Sequence, residues 1–255
     1  MTDDATARLL DRFLRGLRVL DPVAVWAHGS LAGGDYREGR SDLDLIAVLE
    51  EDPFRLPTAR AVLGLHRRLR AAEPLARRLH CSYLTPATAA DAERSHLTWA
   101  HDGPTRRPVT PVTRCELHTF GRVLHGTPPA GLLPPVPPSE LRAFVVRDQK
   151  EFWRPAVDKA RLWRQDVWVD LGTITYARAT ATLLEGRLIT KREALDLLPG
   201  LGAPQDVVDD ITGRRYGEPG PTDPAWRDRR AERTRSYLGP AIDSLVAAHG
   251  TATRA

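Results

Sequence analysis

Two cysteines in 255 residues, Cys81 and Cys115, are too few for a disulfide framework and show no metal-binding spacing. Both are expected as small buried residues in a reducing compartment. Long apolar runs are also missing. The N-terminal stretch MTDDATARLLDRFLRGLRVL is amphipathic, but Asp11, Arg12, Arg15 and Arg18 interrupt it, so it holds neither a signal-peptide core nor a membrane span. The formal charge of +4 is small for this length, and the arginines are scattered through helical patterns rather than gathered in a stripe. Charge therefore gives no indication of a nucleic-acid partner. No internal repeat is visible. What remains is a globular chain, expected to be cytoplasmic and monomeric with no membrane partner, long enough for one large or two modest domains.

What is present centres on residues 25–49, VWAHGSLAGGDYREGRSDLDLIAVL. An apolar run breaks at His28-Gly29-Ser30, passes through a Gly- and Arg-rich loop, and resumes at Asp42-Leu43-Asp44-Leu45. That pattern predicts strand, turn, loop, strand. On a strand Asp42 and Asp44 project from one side, about 7 Å apart along the chain. Two carboxylates sharing a face repel unless a cation neutralises them, and a hard ion such as Mg²⁺ takes one or two carboxylates together with phosphate oxygens. Gly29 lets the backbone approach a bulky anion, and Ser30 opens a short helix whose N–H groups and hydroxyl suit a phosphate.

Gly29-Ser30, a loop of about a dozen residues and Asp42-x-Asp44 together resemble the polymerase-beta-type nucleotidyltransferase superfamily. The intervening LAGGDYREGRSDLDL is similar to the version in antibiotic adenylyltransferases. The resemblance implies ATP as co-substrate, Mg²⁺ held by Asp42 and Asp44, the triphosphate held by Gly29 and Ser30, and attack of a hydroxyl on the α-phosphorus with pyrophosphate leaving.

Around that centre, residues 5–20 read as a packing helix, 23–27 and 42–49 as strands, 57–72 as a crossover helix and 80–84 as a third strand beside Asp-x-Asp. Residues 85–111 give a poor signal, a strand or loop bordering the site. Residues 113–126 read as a helix running into a Leu-His-Gly turn. Residues 128–138 lie in the Pro-rich run TPPAGLLPPVPPSE, too donor-poor for core structure, and are expected to link a nucleotidyltransferase domain, 1–127, to a helical domain, 139–255. The second half predicts helices over 141–153, 167–185 closed by Gly186, 191–199 opened by the capping box Thr190-x-x-Glu193, 204–211 and 224–249. The expected fold class is α+β: a mixed sheet with flanking helices, then a helical bundle.

VDLGTITYARATATLLEGRLITKREALDLLP resembles the helical domain of adenylyltransferases that modify streptomycin and spectinomycin. That implies a small, aminoglycoside-like acceptor and a phosphate contact from Lys191. Tyr237, in the last helix, is a candidate to stack on or border the adenine. Lys191 as a solvated first-turn residue and Tyr237 as core stay open. A polycationic acceptor needs carboxylates, and Asp170 is the candidate, with Trp168 and Trp163 as a flat wall and Asp166 read as a helix cap. Related transferases often carry a Glu on the third strand to take the hydroxyl proton. Here His80 stands at that point, as a candidate catalytic base beside Asp42 and Asp44. Glu116, Asp102 and Asp148 are alternatives, and Glu50 lies about 20 Å beyond Asp44 along the strand. A protein or RNA acceptor, or a degenerate nucleotide-binding sensor, are the competing readings.

Overall fold

The structure, a computed structural model, describes residues 4–250. It divides into two compact units, Met1–Val136 and Pro137–Ala255; residues 1–3 and 251–255 of the expected domains lie outside the described residues.

The first unit opens with α1 (Asp4–Leu17), followed by β1 (Pro22–Ala27), the single turn α2 (Gly29–Ala32), β2 (Leu43–Leu49), α3 (Leu56–Ala72) and β3 (Leu79–Leu84). The short α4 (Pro86–Ala89), the hairpin β4 (Ser95–Ala100) and β5 (Gly103–Pro108), α5 (Pro111–Phe120) and β6 (Arg122–Gly126) complete it. The six strands form one sheet in the order β5-β4-β3-β2-β1-β6. Every pairing is antiparallel except β2 with β3, which α3 joins as a crossover. This is the expected mixed sheet with flanking helices.

Side-chain alternation gives the sheet two buried faces. Leu43, Leu45, Ala47 and Leu49 of β2 join Leu9, Phe13 and Leu17 of α1 and Val62, Leu65 and Leu69 of α3 in one core cluster. Ile46 and Val48 point the other way and pack with Trp26, Val109, Leu117 and Leu133. Asp44 shares the alternation of Ile46, so it emerges at the end of this second face.

Residues 85–111, expected as a strand or loop, contain the two strands β4 and β5. Two expectations are corrected. Residues 122–126, expected as the end of a helix and a Leu-His-Gly turn, pair with β1. β5 and β6 are edge strands with mostly exposed side chains, and Pro104 and Pro108 are tolerated on an edge, so neither shows the alternation that marks a half-buried strand. The Pro-rich stretch belongs to the first unit as far as Val136: Leu133 is buried in its core, and Trp26 Nε1 donates to the Thr127 carbonyl at 2.7 Å. Prolines prevent regular structure there but not burial of the leucine they carry. Of the cysteines, Cys81 is buried and Cys115 only half-buried.

His66 of α3 lies deep in this unit, stacked 4.7 Å from Trp99, with Nε2 2.7 Å from the Tyr83 hydroxyl. Burial, with the charge of His80 adding to it, pushes its pKa down to about 3. The unfolded chain takes up this proton below about pH 6.5 and the folded protein does not. His66 therefore withdraws about 1.4 kcal/mol of stability per pH unit between 6.5 and 3. Denaturant midpoints at pH 7 and pH 5.5 should differ less in His66→Gln than in the wild type; an equal difference would remove His66 from the acid sensitivity.

The second unit is helical, as expected. It comprises α6 (Pro138–Asp148), a π turn (Gln149–Trp153), α7 (Arg154–Val157), α8 (Ala160–Trp163), α9 (Asp166–Glu185), α10 (Lys191–Leu197), α11 (Gln205–Tyr216) and α12 (Pro224–His249). The central α9 ends at Gly186, and Thr190 and Glu193 form the reciprocal cap of α10. At Gly172 a Cβ would stand 2.5 Å from the Trp163 ring, so the absence of a side chain lets the indole pack against α9. No helix among the described residues is long and apolar enough to cross a membrane.

Candidate active site

β1 delivers the chain to His28, whose N–H donates to the Asp44 carbonyl at 3.0 Å. The next residue, Gly29, has φ +60, and a Cβ there would lie 2.8 Å from Asp44 Oδ2. Glycine is required twice over, by the left-handed backbone and by the carboxylate. Ser30 follows in α2, half-buried. Asp42 sits just before β2 and Asp44 on it, with side chains 37% and 33% exposed. Asp42 Oδ1 has Arg78 at 3.4 Å. The first unit thus brings Gly29, Ser30, Asp42 and Asp44 together.

Gly29→Ala is expected to keep the fold while adding about 1–2 kcal/mol of backbone strain and displacing the Asp44 carboxylate. Turnover should fall at least about tenfold, at about 1.4 kcal/mol per decade. Steady-state kinetics beside a melting curve would check this, and wild-type turnover in the variant would contradict the geometry.

In the parallel register of β2 and β3, Asp44 stands opposite His80. His80 Nδ1 lies 3.6 Å from Asp44 Oδ1, and His80 Nε2 accepts a long hydrogen bond, 3.4 Å, from the His101 N–H. With Nε2 accepting, the tautomer places the proton on Nδ1, turned towards Asp44. The remaining lone pair is engaged by the backbone, so His80 can take a proton only after the His101 contact opens. His101 and Asp102, at φ 50 and 67, form the two-residue turn between β4 and β5, and the His101 ring packs edge-on at 4.7 Å from His80.

The alternative bases are also partnered. Asp102 pairs with Arg70 at 3.1 Å. Glu116 of α5, buried, reaches His28 Nδ1 at 3.2 Å and the Gly29 N–H at 3.3 Å through one oxygen. Asp148 ends α6 in the second unit, where burial pushes its carboxyl up. A cleft of about 220 Å³ opens beside Asp44 and His80, bordered by Ser82, Thr98, Arg107 and Thr110. Sequence reasoning did not single out His28, although it immediately precedes Gly29.

Among the described residues no three His, Cys, Asp or Glu side chains converge on one metal position. The donor chemistry nevertheless fits Mg²⁺: two half-exposed carboxylates two residues apart supply hard oxygens, and a nucleotide's phosphate oxygens would complete the shell.

The remaining candidates lie in the second unit. Asp170 is engaged by Arg214, whose Nη2 is 2.6 Å and Nε 3.2 Å from Oδ1. Burial pushes the Asp170 carboxyl up and Arg214 pulls it back. Arg214 also bonds Asp210, and Asp210 accepts from Arg230 at 2.9 Å, which reaches Asp166 at 2.7 Å. Asp166 is therefore the first residue of α9 and an ion-pair partner; the cap position belongs to Gln165. The expected cap fails because the side chain turns to Arg230.

Trp163 is fully buried, its Nε1 donating to the Ala156 carbonyl at 2.8 Å, so it is core rather than a wall. Trp168 is half-buried and near-parallel to the half-exposed Phe152 at 6.1 Å. Lys191 is the first residue of α10, half-buried. Tyr237 packs edge-on against Tyr176 at 5.7 Å, and burial pushes its phenol up.

Residues 10–86, from within α1 to the start of α4, match the nucleotidyltransferase domain family. No curated protein sequence matches the chain. Among solved structures, it is similar to the spectinomycin adenyltransferase AAD(9) from Enterococcus faecialis, crystallised with ATP and spectinomycin. The TM-score is 0.70 at 15% identity, over 93% of this chain and 99% of that one. At that identity the likeness is one of fold.

Proposed function

We propose, on the premise that residues 10–86 form a nucleotidyltransferase domain of the polymerase-beta type, that this protein is an ATP-dependent adenylyltransferase. It moves AMP to a hydroxyl of an aminoglycoside-like small molecule and releases pyrophosphate. The observation that carries the reading is the placement of Asp44 on β2, in contact range of the Gly29 turn on one side and His80 on the other. Gly29 and Asp44, which the sequence motif singles out, are the residues that touch there.

In this reading Asp42 and Asp44 hold Mg²⁺, which when bound supplies positive charge to the phosphate oxygens. Gly29 leaves room for the nucleotide, and Ser30 offers its hydroxyl to the triphosphate. Holding the reacting groups in line accounts for most of the remaining acceleration. Lys191 is proposed as a phosphate contact, Tyr237 as a neighbour of the adenine, and Trp168 and Asp170 as acceptor contacts. An ammonium group reaching Asp170 competes with Arg214 for its carboxylate, so acceptor binding there requires the guanidinium to yield.

A second reading, a nucleotide-binding sensor without efficient transfer, is favoured by one observation: the lone pair of His80 is already engaged. One experiment separates the two. Pyrophosphate release from ATP and Mg²⁺ is followed against a panel of aminoglycosides, with mass spectrometry for a nucleoside-monophosphate adduct. An adduct supports transfer; ATP binding with no adduct on any acceptor supports the sensor.

A further inference from the structure

We propose that Glu116 is a positioning residue whose carboxylate clamps the His28-Gly29-Ser30 turn against β2. It rests on the proposed function for its kinetic consequence but not for its geometry.

Glu116 comes from α5, 87 residues beyond Gly29, and its side chain is 8% exposed. A buried carboxylate is costly unless hydrogen-bonded, and this one has donors in the turn itself. Oε2 lies 3.2 Å from His28 Nδ1 and 3.3 Å from the Gly29 N–H. The other side of the turn is held by the His28 N–H on the Asp44 carbonyl, 3.0 Å away. Gly29, at φ +60, is thus fixed between two acidic residues: Glu116 takes its N–H, and Asp44 Oδ2 stands 2.8 Å from where a Cβ would be.

Two consequences follow. The Gly29 N–H is occupied by protein, so the turn's contact with a phosphate falls to Ser30. And because Glu116 Oε2 receives two donors from the turn, the residue is assigned to positioning it. Its bond also orients the His28 imidazole, which borders the cleft beside Asp44.

The test compares Glu116→Ala with Glu116→Gln, which keeps a carbonyl acceptor and loses the charge. Amide exchange at Gly29 and Ser30 is measured in the full chain without nucleotide, and KM for ATP and kcat are measured with Mg²⁺. In Glu116→Ala the Gly29 amide should exchange at least about tenfold faster, and KM for ATP should rise about tenfold or more with a smaller change in kcat. Glu116→Gln should restore both to within about threefold, since the acceptor remains.

Unchanged exchange at Gly29 in Glu116→Ala would overturn the clamp, as would equal losses in the two variants, which would assign the effect to charge. Should the alanine variant not fold, Glu116→Met fills the buried volume without an acceptor and is read in the same way. A wild-type protein that binds no ATP would defeat the proposed function while leaving the exchange result to decide this inference.

Discussion

Asp44→Asn should abolish nucleotidyl transfer while leaving the protein folded. The side chain is one-third exposed, its neighbours are Gly29 and His80, and the substitution keeps shape while removing charge. The amide keeps the shape and the hydrogen-bonding oxygen of the carboxylate, so the melting temperature should stay within a few degrees, and lower repulsion towards Asp42 favours the variant slightly. The reaction gathers negative charge at phosphate oxygens, and holding a neutralising cation there is worth several kcal/mol. At about 1.4 kcal/mol per decade, the rate should fall by about 10³-fold or more. Pyrophosphate release and a thermal melt on the same preparation check both halves. A folded variant with near-wild-type turnover would remove Asp44 from the reaction, and the proposed function with it.

The largest effect on stability is expected at Asp210. Its carboxylate, 3% exposed, bonds both Arg214 and Arg230, and Arg230 is 1% exposed. Asp210→Ala leaves two guanidinium groups side by side without the anion that joins them. Arg214 retains Asp170, but among the described residues the ion-pair partner left to Arg230 is the half-exposed Asp166. Breaking a buried ionic network by removing one member costs about 3–5 kcal/mol, a large share of the 5–15 kcal/mol of a typical domain. The denaturant midpoint, followed by tryptophan emission, should drop sharply. Replacing Asp210 and Arg230 together by apolar residues of similar volume should recover much of the loss. If the single variant is as stable as the wild type, the network contributes nothing net.

These two sites mark where sequence reasoning reached and where it stopped. The Gly29-Ser30 and Asp42-Leu43-Asp44 pattern was legible because strand alternation and turn chemistry act over a few residues. The same holds for α3, for Gly186 closing α9 and for the Thr190–Glu193 cap. The edge strands β5 and β6 were not legible, since an exposed edge carries no burial rhythm and is defined only by its pairing partner. The Pro-rich run looked like a linker because composition reports missing donors, not where Leu133 finds a pocket.

The ionic network shows the same limit. Asp166 and Asp170 share a helix face by spacing, but the arginines that neutralise them lie 44 and 64 residues away in sequence. Nothing local announces them. Likewise His80 was visible on β3, whereas the His101 N–H that engages it depends on a turn of two left-handed residues in the stretch with the weakest signal.

The one parallel pairing in the sheet seats Asp44 and residue 80 side by side on different strands, with α3 in the connection between them. The carboxylates proposed to hold the metal and the Gly29 turn come from one stretch of chain, and the facing side chain from another. The ring at position 80 is mostly buried, its side chain 11% exposed, and it packs edge-on against His101 at the end of the strand. On the proposed function, the group that faces the reacting hydroxyl can therefore be exchanged at a single position, on a different strand from the carboxylates. The transferase and nucleotide-sensor readings then differ at one position of this scaffold, and that position is where engineering would start.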